Sequence, residues 1–482
     1  MNREKELIKN IIVLFIGNVV PKIANFIVLP ILTGYLTKVE YGTYDLVTVI
    51  CSLILPMVTV QIQTSAFRFL IDYRNDRYGK NKIISNIFIF LIPINFFIIL
   101  IMFLILNRYS VIIRLLICGY FLSDIFYSIC GQITRGLLKS KIFATASVIC
   151  SISNLIFVFL LIYLLKMKLT GVLLCLLLSH FLPTIYMVLK LQIFQYLNFK
   201  YFDKKLLIEM LLYSWPMVPN ALSMWVMNIS DRFIISLFLG IEANAIYAVS
   251  KKIPNILTNV QSTFIMAWQE SATLASDDSD SNKYYSQMFD IIFSVMAAAM
   301  MGITTSMPLL FKILIKGDYN EAYFQMPILI LGMFFFSLSA YYGGIYTAKK
   351  ATKSVGITTL IAAIINLLIN LFTIKYIGLY AASISTLISY TFLFLFRMYD
   401  LNKKYIKIEY NYNKIILVII SLMIVLFLSY FRTVKFYILE VVIASVVSII
   451  INKKMIYILY IKVKKLIYKK ASITIKENNN KS

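Results

Sequence analysis

Fourteen long apolar runs set the limits on what this 482-residue chain can fold into. They lie at roughly 10–35, 42–66, 83–106, 111–133, 143–165, 170–193, 209–239, 245–270, 285–311, 324–347, 354–375, 378–399, 413–430 and 434–451. An α-helix needs about 20 predominantly apolar residues to cross the hydrocarbon core of a bilayer. Membrane β-strands would alternate residue by residue, and these runs do not. With 60% hydrophobic and only 14% charged residues, the expected fold is an all-α polytopic membrane protein of about 14 transmembrane helices.

An even number of spans puts both termini on one side. Of the 47 Lys and Arg residues, 33 fall in the N-terminus, the tail and alternate connections; 10 fall in the opposite loops and four inside spans. Basic residues concentrate on the cytoplasmic side, so both termini are expected in the cytoplasm. The same distribution turns the net charge of +25 away from nucleic acid. No cleavable signal peptide is expected at the first run. The five cysteines (Cys51, Cys118, Cys130, Cys150 and Cys175) all sit in apolar stretches, without metal-like spacing, and read as packing residues. No cofactor is expected.

Charge inside the spans is the informative exception. Ser214–Ala272 holds two apolar pieces that carry Asp231, Arg232, Lys251 and Lys252 in them or at their edges. An ion near the membrane centre costs about 2.5–3.5 kcal/mol, so such groups face a bundle interior or a wet cavity. Lys251, Asn255, Asn259 and Ser262 are spaced as one helical stripe, as are Asn220, Met224, Asn228 and Asp231. The amides and the serine also suit interhelical hydrogen bonding. The two charged stripes together favour a water-filled, cation-lined cavity.

The first stripe has an earlier counterpart. Leu36–Thr59 slides by 203 positions, without a gap, onto Leu239–Ser262: Tyr44 falls on Tyr247, Thr48 on Lys251 and Ser52 on Asn255. In the earlier helix Asp45, Thr48, Ser52, Pro56, Thr59 and Gln63 form the matching face. A second pair comes later in each half, where an Asn-bearing helix, a short turn ending in Gly171 or Gly378 and a Ser-containing helix follow one another. Repeated halves with a site between them are a transporter design. The expected organisation is two six-helix repeats around a central cavity: an N-terminal bundle over 1–207, a C-terminal bundle over 208–400, spans 13 and 14 over 401–452, and a basic tail over 453–482. Pro21, Pro30, Pro93, Pro216, Pro219 and Pro308 mark expected kinks, which suit either rocking halves or ordinary packing.

PILTGYLTKVEYGTYDL near the start, QTSAFRF, SDRFIISLFLGIEANAIYAVSKKI in the middle and GLYAASISTLISY in the twelfth span resemble the multidrug/oligosaccharidyl-lipid/polysaccharide exporter superfamily. Within it the chain looks most like the Wzx-type polysaccharide flippases. The likeness covers about residues 8–400. It implies translocation of a polyprenyl-diphosphate-linked oligosaccharide across the bacterial plasma membrane, for O-antigen (lipopolysaccharide), capsule or exopolysaccharide synthesis. Alternating access would drive it, with H+ or Na+ as the coupling ion. Membrane lipids are implied partners, together with the polymerase or glycosyltransferases of the same pathway. The resemblance implies a cationic cavity from Lys22, Arg68, Arg232, Lys251, Lys252, Asn255 and Asn259, and coupling or pairing acids Asp45, Asp124 and Asp231. Lys and Arg hold desolvated phosphate well. Asp231 beside Arg232 also reads as a self-neutralising pair, and Arg68 as a side chain snorkelling to the interface.

Peptidoglycan-precursor flippases and drug/cation antiporters of the same superfamily are the near rivals. A membrane glycosyltransferase or polymerase would carry a sizeable outer loop, which is missing here. The only histidine, His180, has no acid near it in sequence and reads as a packing or interhelical residue. The chain is therefore not expected to be an enzyme.

Overall fold

A computed structural model describes residues 21–453 and 457 of the chain, apart from 74, 277 and 279. The start of the first span and nearly all of the basic tail lie outside the described residues. Every regular element among the described residues is helical. The first half contains α1 (described over 21–35), α2 (Lys38–Val58), α3 (Ile62–Asp72), α4 (Arg77–Ile105), α5 (Val111–Gly136), α6 (Ser140–Phe157, extended by a π-helical turn to Leu164) and α7 (Lys168–Leu191). The second contains α8 (Lys204–Ser214), α9 (Met217–Phe238), α10 (Ile241–Ser250), α11 (Asn255–Leu274), α12 (Ser281–Leu314), α13 (Asn320–Ala348), α14 (Thr352–Ile377), α15 (Tyr380–Lys404), α16 (Tyr412–Leu428) and α17 (Val434–Lys453).

The fourteen expected spans fall on these helices in order, with three spans broken in two: α2/α3, α8/α9 and α10/α11. Eleven of the described helices are long and apolar enough to cross a membrane. Two of the breaks follow from proline, which lacks the N–H that a helix interior needs. Pro216 sits at the α8–α9 joint and Pro254 ends the turn before α11. The third break has no such residue. There Val60 and Gln61 both adopt left-handed backbone, at φ 47° and 55°.

The repeat survives in the backbone. The first helix ends at 35 and α2 begins at Lys38; α9 ends at Phe238 and α10 begins at Ile241. Both boundaries are displaced by the same 203 positions. The joints differ chemically. Thr37 closes the first with a capping box, accepting from the Glu40 N–H at 3.2 Å while its own N–H donates to the Glu40 carboxylate at 2.9 Å. Gly240 closes the second in the left-handed region, at φ 92°. The later repeat needs a correction. Gly378 sits in its turn at φ 58°, but Gly171 lies inside α7, and the left-handed residues of that turn are Lys166 and Lys168.

The chain forms two compact units. One comprises the described residues up to Val249 together with Lys312–Ala322 and Leu367–Ala382; the other comprises Ser250–Phe311, Tyr323–Asn366 and the chain from Ser383. In the first, α5 packs on α7 and α3, α6 on α7, and α2 on α9. Ile62, Leu70, Ile83, Leu91, Phe121, Ile129 and Met187 form its core. Gly42 is required by a close approach, because a Cβ there would run into the Ile241 carbonyl. In the second unit, Trp268 stacks on Tyr341 at 4.8 Å and donates to its carbonyl at 2.9 Å. The outward faces are apolar, as in Phe96, Phe97, Leu104 and Ile105 of α4.

Arg397 corrects the charge count made on the sequence. It is not in a loop but inside α15, 5% exposed. Its guanidinium donates to Thr358 Oγ1 at 3.1 Å, Thr359 Oγ1 at 2.9 Å, the Ser339 carbonyl at 3.0 Å and the Val355 carbonyl at 3.4 Å. The arginine ties α13, α14 and α15 together. Only 32 basic residues remain on the side proposed as cytoplasmic, and the asymmetry is preserved.

Candidate functional site: buried polar clusters of the first unit

Helix α9 delivers two neighbouring charges in different directions, because successive residues on a helix point about 100° apart. Arg232 donates to Asp45 of α2 at 2.9 Å. Asp45 is 3% exposed. Its second oxygen accepts from Asn244 of α10 at 3.2 Å, and the same Asn244 amide reaches the Gly42 carbonyl at 3.3 Å. The partner of Arg232 is thus Asp45 and not the adjacent Asp231. Asp231, 1% exposed, accepts from the Tyr247 hydroxyl at 2.9 Å and from Asn370 of α14 at 3.0 Å. Trp225, nearly two turns earlier on α9, donates to the Val49 carbonyl and Ser52 Oγ of α2, both at 3.2 Å.

A second cluster joins α5 and α7. His180 Nε2 lies 3.7 Å from Asp124, and its Nδ1 is 3.0 Å from the Leu176 carbonyl. Tyr120 and Tyr127 present ring edges to the imidazole at 5.5 and 5.3 Å. The acid that His180 lacks in sequence is supplied by the fold.

The remaining expected site residues are divided between the two units. Arg68 is half-exposed on α3 and pairs with Asp72 one turn on, which fits the interfacial reading. Lys22 is partly buried on α1. In the second unit Lys251 is 3% exposed, while Lys252, Asn255 and Asn259 are partly buried. The expected stripe does not run as one helix. α10 ends at Ser250, the chain turns through Pro254, and α11 starts at Asn255. Lys251 belongs to the turn.

Asn244 and Asn370 were not legible as site residues. Asn244 is a lone amide in an apolar run and Asn370 follows Asn366 by one turn of α14, and only the fold shows which carboxylate each meets. Each also keeps a buried carbonyl oxygen without a hydrogen-bond partner.

The family described as "Polysaccharide biosynthesis protein" matches residues 7–269. No curated protein sequence matches the chain. Among solved structures, the lipid II flippase MurJ in an inward closed conformation superposes with a TM-score of 0.72 at 14% identity, covering 94% of this chain and 100% of that one. An inward-facing multidrug resistance MATE family transporter of the MOP superfamily gives 0.65 at 16% identity, covering 82% and 98%. A MOP superfamily transporter from Pyrococcus furiosus, described by the reverse polarity of its binding pocket, gives 0.55 at 14% identity, covering 82% and 95%. The fold is that of these transporters.

Proposed function

We propose that this chain, which belongs to the polysaccharide biosynthesis protein family, is a flippase for a polyprenyl-diphosphate-linked oligosaccharide in the bacterial plasma membrane, with both termini cytoplasmic. One observation carries the reading: the family match together with a full-length fold shared with a flippase of a lipid-linked precursor. That superposition covers 94% of the chain, against 82% for the MATE transporter. This favours the lipid flippase over the drug or cation antiporter. The homologous folds are transporters, so the chain is not read as an enzyme.

In this reading Lys251 is the leading phosphate-binding cation, with Lys22, Lys252, Asn255 and Asn259 around the head group. A lysine held away from bulk water attracts a diphosphate more strongly than an exposed one. Arg232 is engaged by Asp45, so it serves the substrate only in a state where that pair opens. Asp124 is the candidate coupling acid, with the His180 imidazole 3.7 Å away. A Ser/Thr-rich eleventh and twelfth span and the two repeats of six spans complete the plan, and O-antigen, capsule or exopolysaccharide synthesis is the pathway class. Deleting the gene tests the reading. Lipid-linked oligosaccharide then accumulates in the cytoplasmic leaflet; build-up in the outer leaflet overturns the proposal.

A further inference from the structure

The connection between α7 and α8 is short, hydrogen-bonded on its inner side and apolar on its outer side. Two 3-10 turns, Ile193–Gln195 and Phe199–Tyr201, fill it. Its inner side is pinned to the start of α4. Ser85 Oγ donates to the Tyr196 carbonyl at 2.8 Å and accepts from the Asn198 N–H at 3.1 Å. The Asp203 N–H donates to Asn86 Oδ1 at 3.0 Å, and Lys82 donates to the Asp203 carboxylate at 2.9 Å. Tyr78 and Tyr201 meet edge to face at 5.6 Å, and Ile193 is fully buried. These bonds hold the backbone of the connection at Tyr196, Asn198 and Asp203.

The outer side shows Phe194 at 71% and Phe199 at 84% exposure, with Phe202 and Leu189 also exposed. Lys190, Lys200, Lys204 and Lys205 lie exposed among them. A soluble surface would not hold three phenylalanines in water by a hydrogen-bonded scaffold. A membrane interface would, since aromatic rings settle at head-group depth while lysines reach the phosphates. Helix α7 has 24 residues, about 36 Å at 1.5 Å per residue, and therefore ends at that depth.

We propose that residues 189–205 form a built docking surface for anionic phospholipid head groups, with Phe194 and Phe199 inserted and Lys200, Lys204 and Lys205 on the phosphates. The leaflet concerned is the cytoplasmic one, a point that rests on the topology proposed above. The occupant follows from charge complementarity and from continuity with the spanning helix. The surface joins the sixth span to the seventh, so a lipid bound there holds that connection at a fixed depth.

The test titrates the full-length protein in neutral detergent with phosphatidylglycerol or phosphatidylcholine and follows the thermal midpoint. Phosphatidylglycerol raises the wild-type midpoint at lower concentration than phosphatidylcholine. The triple variant Lys200→Gln, Lys204→Gln, Lys205→Gln keeps its midpoint without added lipid and needs roughly a hundredfold more phosphatidylglycerol at low salt. Equal sensitivity of that variant and the wild type overturns the proposal, as does equal stabilisation by soluble glycerol phosphate. A spin label on Phe199→Cys in phosphatidylglycerol-containing vesicles gives a second reading. It is reached by oxygen and shielded from a water-soluble nickel complex; shielding from both means that protein covers the surface, and the proposal fails. Neither measurement reads transport, so a failure here leaves the flippase reading untouched.

Discussion

Arg232 of α9 and Asp45 of α2 stand 187 positions apart in the chain and meet at 2.9 Å in a setting where Asp45 is 3% exposed. Neither is made for an apolar interior alone. Coulomb attraction at low dielectric offsets the loss of hydration only while both charges are present.

Breaking that pair is therefore expected to be costly. Arg232→Ala or Asp45→Ala should each destabilise the purified protein by about 3–5 kcal/mol, because an uncompensated charge stays buried. Asp45→Ala combined with Arg232→Ala should lose clearly less than the sum of the two single losses. A double-mutant cycle on thermal unfolding in detergent checks this. Additive losses would mean that the two groups do not interact.

Lys251→Ala with Lys252→Ala should abolish export and leave the protein at wild-type abundance in the membrane. The measurement is surface polysaccharide in a complemented deletion strain, normalised to membrane protein. Full export would remove both lysines from the substrate path.

Gly42→Ala places a methyl against the Ile241 carbonyl, where no flexible side chain can yield. Overpacking of this kind costs about 1–3 kcal/mol. Gly356 in α14 meets nothing within 4 Å, so Gly356→Ala is the matched control and should be neutral or stabilise by up to about 1 kcal/mol through helix propensity. Thermal midpoints of the two variants decide the matter.

Asp203 lies outside the spans and caps α8, accepting from the Leu206 N–H at 3.1 Å. The Lys82 ammonium, hydrogen-bonded to it, holds its carboxyl below the ordinary aspartate range. A lowered folded-state pKa adds stability above the unfolded value, and that contribution disappears as pH falls through the folded one. The loss belongs to the window below about pH 4. Asp203→Asn keeps a capping oxygen but cannot titrate, so its stability should fall less steeply than the wild type's on acidification from pH 5 to 3. Parallel curves would rule out the carboxylate as a contributor.

The span plan was legible because bilayer thickness dictates run length, and fourteen runs of that length can be read directly from the residues. The breaks at Pro216 and Pro254 had a local signal. The break at Val60–Gln61 had none, since neither residue favours left-handed backbone. Clusters were legible as residue types and not as partners. Asp45 and Arg232 were both singled out, yet nothing in the chain joins them across 187 positions. Arg397 was misplaced because the charges that follow it, Asp400, Lys403 and Lys404, look like the start of a loop.

The paired joints at 36–37 and 239–240 share chain length but not handedness, so recombination between the two halves is one-way. Moving Gly240 into the first joint costs roughly a few tenths of a kcal/mol of capping and strains nothing. Moving Thr37 into the second forces a β-branched residue to φ 92°, a strain of about 1–3 kcal/mol that every chimaera carrying that graft would bear.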